Sequence, residues 1–117
     1  MATIHRFEDA LVWQKAIELG LLVYDKTKHM RDYAFVDQIR RAALSISNNI
    51  AEGLERKSGK EKTQFFSIAR GSTSEVRSMA IFGERLGHFS RIDMEKMNSL
   101  SIEIIKMLSS FMAKIEK

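Results

Sequence analysis

The sequence predicts an all-α fold, an antiparallel up-down-up-down bundle of four helices, on three observations. Apolar residues recur at steps of three and four along four separate stretches. Proline, which interrupts helices, is absent from all 117 residues, while Leu, Ile, Met, Lys, Glu and Arg are plentiful. The breaks between the stretches are short, which favours antiparallel neighbours. At 13.4 kDa the chain is expected to form a single domain over residues 1–117, large enough for one core and too small for two.

The first helix should begin near Asp9, whose carboxylate can cap free backbone N–H groups, and run to His29 or Met30. Its seam is Val12, Ala16, Leu19 and Val23, flanked by Trp13, Ile17 and Tyr24. After the polar break at Arg31-Asp32, a second helix is expected from Tyr33 to Leu54. Val36, Ile39, Ala43, Ile46 and Ile50 form its seam, and Gly53 is placed to end it. Ser58 followed by Glu61 is a capping-box pattern that opens the third helix. That helix carries Phe65, Ala69, Ser72, Val76, Met79, Gly83 and Leu86 on one seam, with Gly87 placed for a C-terminal cap. A glycine inside a helix costs about 1 kcal/mol, so Gly71 and Gly83 are expected to have steric reasons to be there. Ser90 and Asp93 form a weaker capping box before a fourth stripe of Met97, Leu100, Ile104, Leu108, Phe111 and Ile115. Further apolar residues at Phe66, Ile68, Phe82, Ile105 and Met112 exceed what one core needs and point to self-association.

Several chemistries lack their residues. The absence of cysteine removes disulfides, thiolate metal sites and cysteine nucleophiles, and suits a reducing, cytoplasmic setting. The opening Met1–Phe7 holds no signal-like apolar run, and no stretch approaches the ~18 apolar residues of a membrane span. A di-iron bundle needs Glu-x-x-His pairs, and the sequence has none. Glu84 and His88 form a lone pair at a helix end, and His5 and His29 have no histidine at ligand spacing. No serine sits in a G-x-S-x-G elbow. Gly53 with Lys57-Ser58 lacks the second glycine and the preceding strand of a phosphate loop. No metal, cofactor or catalytic residue is expected, and the chain is read as no enzyme.

Charge is the feature that points outward. The net charge is +4, and the whole excess lies between Arg40 and Arg77. Arg56, Lys57, Lys60 and Lys62 cluster at one loop and helix start, while Arg70 and Arg77 share a face of the third helix. Clustered cations gain affinity for RNA by displacing its counterions, so these six are the candidate nucleic-acid contacts. Arg40 and Arg41 are candidates for intersubunit pairs, a role also open to Arg70 and Arg77. Asn48 and Asn49, on an otherwise apolar helix, are candidates for fixing helix register or subunit pairing, because a buried amide must find partners. Trp13 and Tyr24 are expected in the core or an interface. The alternative to RNA binding is a structural or protein-interaction scaffold.

Four segments together resemble the four-helix-bundle proteins encoded by intervening sequences of bacterial 23S ribosomal RNA genes. Phe7-Glu8-Asp9 and Val12-Trp13-Gln14-Lys15-Ala16 are similar to the family's opening F-E-D-L-x-V-W-Q-K-A, with Ala10 in place of leucine. Gln38-Ile39-Arg40-Arg41-Ala42-Ala43 leads into Ser45-Ile46-Ser47-Asn48-Asn49-Ile50-Ala51-Glu52-Gly53, which resembles S-I-P-S-N-I-A-E-G. Ser47 stands where proline is common and Asn48 where serine is. Ala69-Arg70-Gly71-Ser72 and Glu75 complete the likeness, and the fourth helix matches only in character. The resemblance implies a ring-like homo-oligomer, a pentamer. It also implies a likeness to the accessory proteins of diversity-generating retroelements, which bind nucleic acid and a reverse transcriptase. It supplies no catalytic residue.

Overall fold

The computed structural model describes residues 6–116. The segment Met1–His5, read above for a leader and for the metal-ligating prospects of His5, lies outside the described residues, as does Lys117. Among the described residues a 3-10 turn, Phe7–Asp9, precedes helices α1 (Leu11–Lys26), α2 (Tyr33–Glu55), α3 (Gly59–Arg85) and α4 (Arg91–Glu116), and no strand occurs. Each helix packs on two others, α2 against α1 and α3, and α4 against α3 and α1, so α1 and α3 stand diagonally across a rod of 45 × 24 × 22 Å. This is the expected up-down-up-down bundle.

The seams of α1 and α2 bury the residues that the spacing predicts, Val12, Ala16, Leu19 and Val23 against Val36, Ile39, Ala43, Ile46 and Ile50. The seam of α3 is rotated from the expected one. Its buried residues are Phe66, Ala69, Thr73, Val76, Ala80 and Gly83, while Phe65, Ser72 and Met79 are half-buried and Leu86 is exposed. Gly53 explains the rotation at one end. It does not terminate α2 but lies inside it, and a Cβ there would stand 2.6 Å from the Phe66 ring. The missing side chain is what lets Phe66 enter the core. Phe66 and Met112, expected as surplus, are therefore core residues, whereas Ile68 and Phe82 stay exposed and Ile105 is half-buried.

The helix ends follow their caps, with corrections at α1. Asp9 does not cap it. That residue lies in the 3-10 turn beside Arg6, at 3.5 Å, and the N-cap position is Ala10, whose methyl group cannot accept a hydrogen bond. At the other end α1 stops at Lys26 rather than at His29 or Met30, where the buried Thr27 hydroxyl turns back to donate to the Val23 carbonyl at 2.8 Å. Asp32 caps α2 by accepting from the Phe35 N–H at 3.3 Å, and the helix passes Ser47 unbroken. Ser58 Oγ accepts from the Glu61 N–H at 3.1 Å, and Ser90 Oγ from the Asp93 N–H at 3.1 Å.

Beyond α3, Gly87 adopts φ +82°, the left-handed region open to glycine. Its N–H reaches the Glu84 carbonyl at 3.0 Å and the His88 N–H reaches Gly83 at 2.8 Å, the paired pattern that satisfies the last helix carbonyls. Gly83 itself has the expected steric reason, since a Cβ would meet the Phe89 ring at 2.6 Å and Phe35 Cζ at 2.9 Å. Gly71 does not: apart from its adjacent residues and the nearby backbone of its own helix, nothing lies within 4 Å of the place its Cβ would take.

Candidate nucleic-acid interface

The structure divides the six expected phosphate contacts by what already neutralises them. Arg56 is compensated. Its Nη2 lies 2.7 Å from Glu52 Oε2, Nη1 is 3.9 Å from Glu61, and the guanidinium sits 4.9 Å above the Phe65 ring. Lys62 Nζ donates to the Gly53 and Leu54 carbonyls at 3.3 and 3.1 Å, where a cation stabilises the negative end of α2. These two cations hold the α2–α3 connection. Lys57 and Lys60 are exposed and have no partner among the described residues.

Arg70 and Arg77 differ from both groups. Arg70 Nη1 donates to Ser109 Oγ at 3.2 Å, and Arg77 Nε donates to Asn98 Oδ1 at 2.7 Å, so α4 positions each guanidinium through a neutral group. No carboxylate among the described residues pairs with either. Seven residues separate them, two turns or about 10 Å along α3. Arg70 and Arg77 thus form a short line of cations on one side of α3, and Lys60 and Arg85 are exposed near the helix's two ends. A phosphate chain can meet such a line at successive points, since both arginines retain donors in a fixed planar fork.

The four residues considered for assembly or register also separate. Arg40 is used within the chain: Nε donates to Thr27 Oγ1 at 2.9 Å, Nη2 to the Tyr24 carbonyl at 3.3 Å, and the guanidinium covers the Tyr24 ring at 4.3 Å. It fastens α2 to the end of α1. Arg41 is exposed and unpaired among the described residues. Asn49 is half-buried and donates to the Ser45 carbonyl at 2.8 Å and to Ser45 Oγ at 3.0 Å, while Ser45 Oγ lies 2.8 Å from Ser72 Oγ. That relay links α2 to α3. Asn48 is exposed on α2, so the expectation of a buried amide is not met there within the chain. Trp13 is half-buried, with the Phe7 ring edge-on at 5.3 Å, and Tyr24 lies at the surface under Arg40.

Sequence spacing missed the polar closure at the opposite end of the bundle. His88 Nε2 lies 2.8 Å from Asp32 Oδ2, the other oxygen of the residue that caps α2. The hydrogen bond to His88, with that from the Phe35 N–H, holds the Asp32 carboxyl below the usual carboxylate range. Sequence patterning alone pairs His88 with Glu84, whereas its partner is fifty-six residues distant. Among the described residues no helix is long and apolar enough to cross a membrane.

Residues 8–110 match the family described as 23S rRNA-intervening sequence protein. The chain belongs to that family. A solved structure, described as a protein with unknown function from the S23 ribosomal protein family of Bacteroides thetaiotaomicron VPI-5482, superposes with a TM-score of 0.81. It is 24% identical over 87% of this chain and 98% of its own, a likeness that establishes the shared fold. No curated protein matches the chain. The family match covers all but the first residue of the 3-10 turn, the first three helices and most of α4, so Arg70 and Arg77 and the α4 residues that position them all lie within it.

Proposed function

We propose that this protein is a non-enzymatic, homo-oligomeric binding protein that engages the phosphates of structured RNA, alone or in a ribonucleoprotein, through the cation line of α3. The observation that carries this reading is the state of Arg70 and Arg77. Both guanidiniums are positioned by neutral groups of α4 and keep their charge uncompensated. A cation retained for stability is normally paired with a carboxylate or laid on a helix end, as Arg56 and Lys62 are here. Contacts of this kind position a backbone without reading bases, so little sequence preference is expected. Repetition of the line on every subunit would raise avidity. The family name, which refers to a sequence within a 23S ribosomal RNA gene, is consistent with an RNA setting.

A salt titration of binding to a structured RNA tests this. Each neutralised phosphate adds about 0.7–0.9 to the logarithmic salt slope, so Arg70→Gln/Arg77→Gln should lower the slope by roughly 1.5 and weaken binding at all salts. Arg56→Gln, whose charge is already matched, should change the slope by less than half as much. No measurable binding at low salt, or equal slopes for the three proteins, would overturn the RNA role. A scaffold without nucleic acid would then stand first, on the strength of the exposed apolar residues Leu21, Leu44, Ile68 and Phe82.

A further inference from the structure

Two polar side chains of α4 are only half used by the chain. Asn98 accepts from Arg77 Nε through Oδ1, and its amide nitrogen, with two N–H donors, has no partner among the described residues. Ser109 Oγ accepts from Arg70, and its own hydroxyl proton is likewise uncommitted there. Other hydroxyls of α3 and α4 behave differently. Thr73 Oγ1 donates to the Ala69 carbonyl at 2.7 Å and Ser101 Oγ to the Met97 carbonyl at 2.8 Å, each turned back on its own helix. Those two are fully buried, whereas Asn98 and Ser109 are half-buried, within reach of solvent. Each arginine of the cation line therefore has beside it, within 3.2 Å, a neutral group with a donor to spare.

We infer that this side of α3 and α4 reads the ribose as well as the phosphate of base-paired RNA: Arg70 and Arg77 meet phosphate oxygens, and Ser109 and Asn98 donate to the 2′-hydroxyls beside them. The inference rests on the RNA reading above and names the part of RNA that DNA lacks. Every nucleic-acid backbone offers a charged acceptor at each phosphate, but only RNA sets the neutral 2′-oxygen near it. A cation alone suffices for the first, and the spare donors of Asn98 and Ser109 suit the second. Base-paired RNA is selected by the aromatic residues. A site for single strands stacks unpaired bases on exposed rings, and the four phenylalanines of α3 and α4 are placed otherwise. Phe66 is buried with Phe111 packed on it, and Phe65 lies beneath Arg56. Phe82 is exposed, but at five residues from Arg77 it projects from another side of the helix. Between the arginines α3 presents the small, exposed Ser74. A low face of two parallel rods suits the wide, shallow minor groove in which A-form RNA displays its 2′-hydroxyls. Glu84, two turns beyond Arg77 and close enough to Arg91 to act on its charge, ends the line.

The test compares four ligands of one sequence: duplex RNA, the same duplex with 2′-fluoro in place of each 2′-hydroxyl, duplex DNA, and single-stranded RNA. The fluoro duplex keeps the A-form and the phosphates but loses the hydroxyl acceptors. Wild-type protein should bind duplex RNA about tenfold tighter than the fluoro duplex, the worth of two ordinary hydrogen bonds, with equal salt slopes for both. Asn98→Ala/Ser109→Ala should bind the two duplexes alike at an unchanged slope, because both arginine charges remain. Arg70→Gln/Arg77→Gln should lower the slope on both duplexes and keep the preference between them. If Asn98 and Ser109 only hold the arginines in place, their loss weakens both duplexes equally, and that result overturns the inference. Equal binding of the RNA and fluoro duplexes by the wild type, or tighter binding of single-stranded RNA or of duplex DNA, overturns it too, while a slope that still depends on Arg70 and Arg77 leaves the phosphate contact standing. No binding of any of the four at low salt removes the RNA reading and this inference together.

Discussion

The inner and outer faces of α3 each contain a glycine, Gly83 near the helix's C-terminal end and Gly71 at its middle, in opposite surroundings. On the inner face Gly83 is filled by its own chain, with Phe89 and Phe35 occupying the volume a side chain would need. On the outer face Gly71 faces open space. A glycine in a helix therefore marks an internal close approach only where neighbouring side chains fill the space of its missing Cβ, as they do at Gly83 and not at Gly71. The inner face also contains Thr73, fully buried, whose hydroxyl donates to the Ala69 carbonyl at 2.7 Å and so needs no other partner. The outer face achieves its smallness with exposed serines.

The sharpest way to break this comparison is to add one methyl group on each side. Gly83→Ala forces the buried Phe89 and Phe35 rings to move, and overpacking of this kind costs about 1–3 kcal/mol, less the small gain in helix propensity. Gly53→Ala should behave alike, because Phe66 is fully buried and cannot retreat. Gly71→Ala, with nothing to displace, should stabilise the folded chain by up to about 1 kcal/mol. Urea unfolding of the three variants at matched protein concentration measures the signs directly. Equal effects at Gly83 and Gly71 would mean that the two faces are not distinguished in this way.

Residue patterning disclosed much of this, and its failures have identifiable causes. The seams of α1 and α2 were legible because the three-and-four steps Val12, Ala16, Leu19, Val23 and Val36, Ile39, Ala43, Ile46, Ile50 run unbroken along each helix. On α3 the adjacent Phe65 and Phe66 both fit a three-and-four pattern, and the choice between them is made by Gly53 on another helix. The start of α1 was misplaced because Asp9 sits in a 3-10 turn, a unit too short to leave a periodic trace. For the candidate site, spacing along the chain found the cations but could not sort them. Arg70 and Arg77 acquire their character from Ser109 and Asn98, thirty-nine and twenty-one residues away. Lys62 acquires its own from two carbonyls at the end of α2.

A smaller effect probes where α3 begins. Ser58 accepts the Glu61 N–H at 3.1 Å, and its hydroxyl donates to Glu61 Oε1 at 3.2 Å, so one side chain serves both the helix end and the adjoining carboxylate. Ser58→Ala removes a cap of a kind that contributes about 1 kcal/mol, and Ser58→Asp should restore most of it. The measurement is the urea midpoint of the two variants. A Ser58→Ala midpoint equal to that of the wild type would show that the α2–α3 connection is held by Arg56 and Lys62 without the cap.

The smallest expected effect lies at the far end of α3, where His88 follows the glycine cap and meets Asp32. Asp32 is exposed, and its carboxyl is held below the usual range first by the His88 hydrogen bond and then by that of the Phe35 N–H. A carboxyl with a lowered folded-state pKa binds its proton less readily in the folded chain than in the unfolded one. Its contribution is therefore complete above the ordinary carboxylate value of about 4 and is lost as pH falls through the lower folded value. Asn at this position keeps an oxygen for the Phe35 N–H and serves nearly as well as a cap, but it does not titrate. Between about pH 5 and pH 3 the Tm of Asp32→Asn should consequently fall less steeply than that of the wild type, while at neutral pH the two should lie within a few degrees. Parallel curves over that acid range would mean that His88 and the helix end gain nothing from the negative charge, and that the hydrogen bonds alone close this end of the bundle.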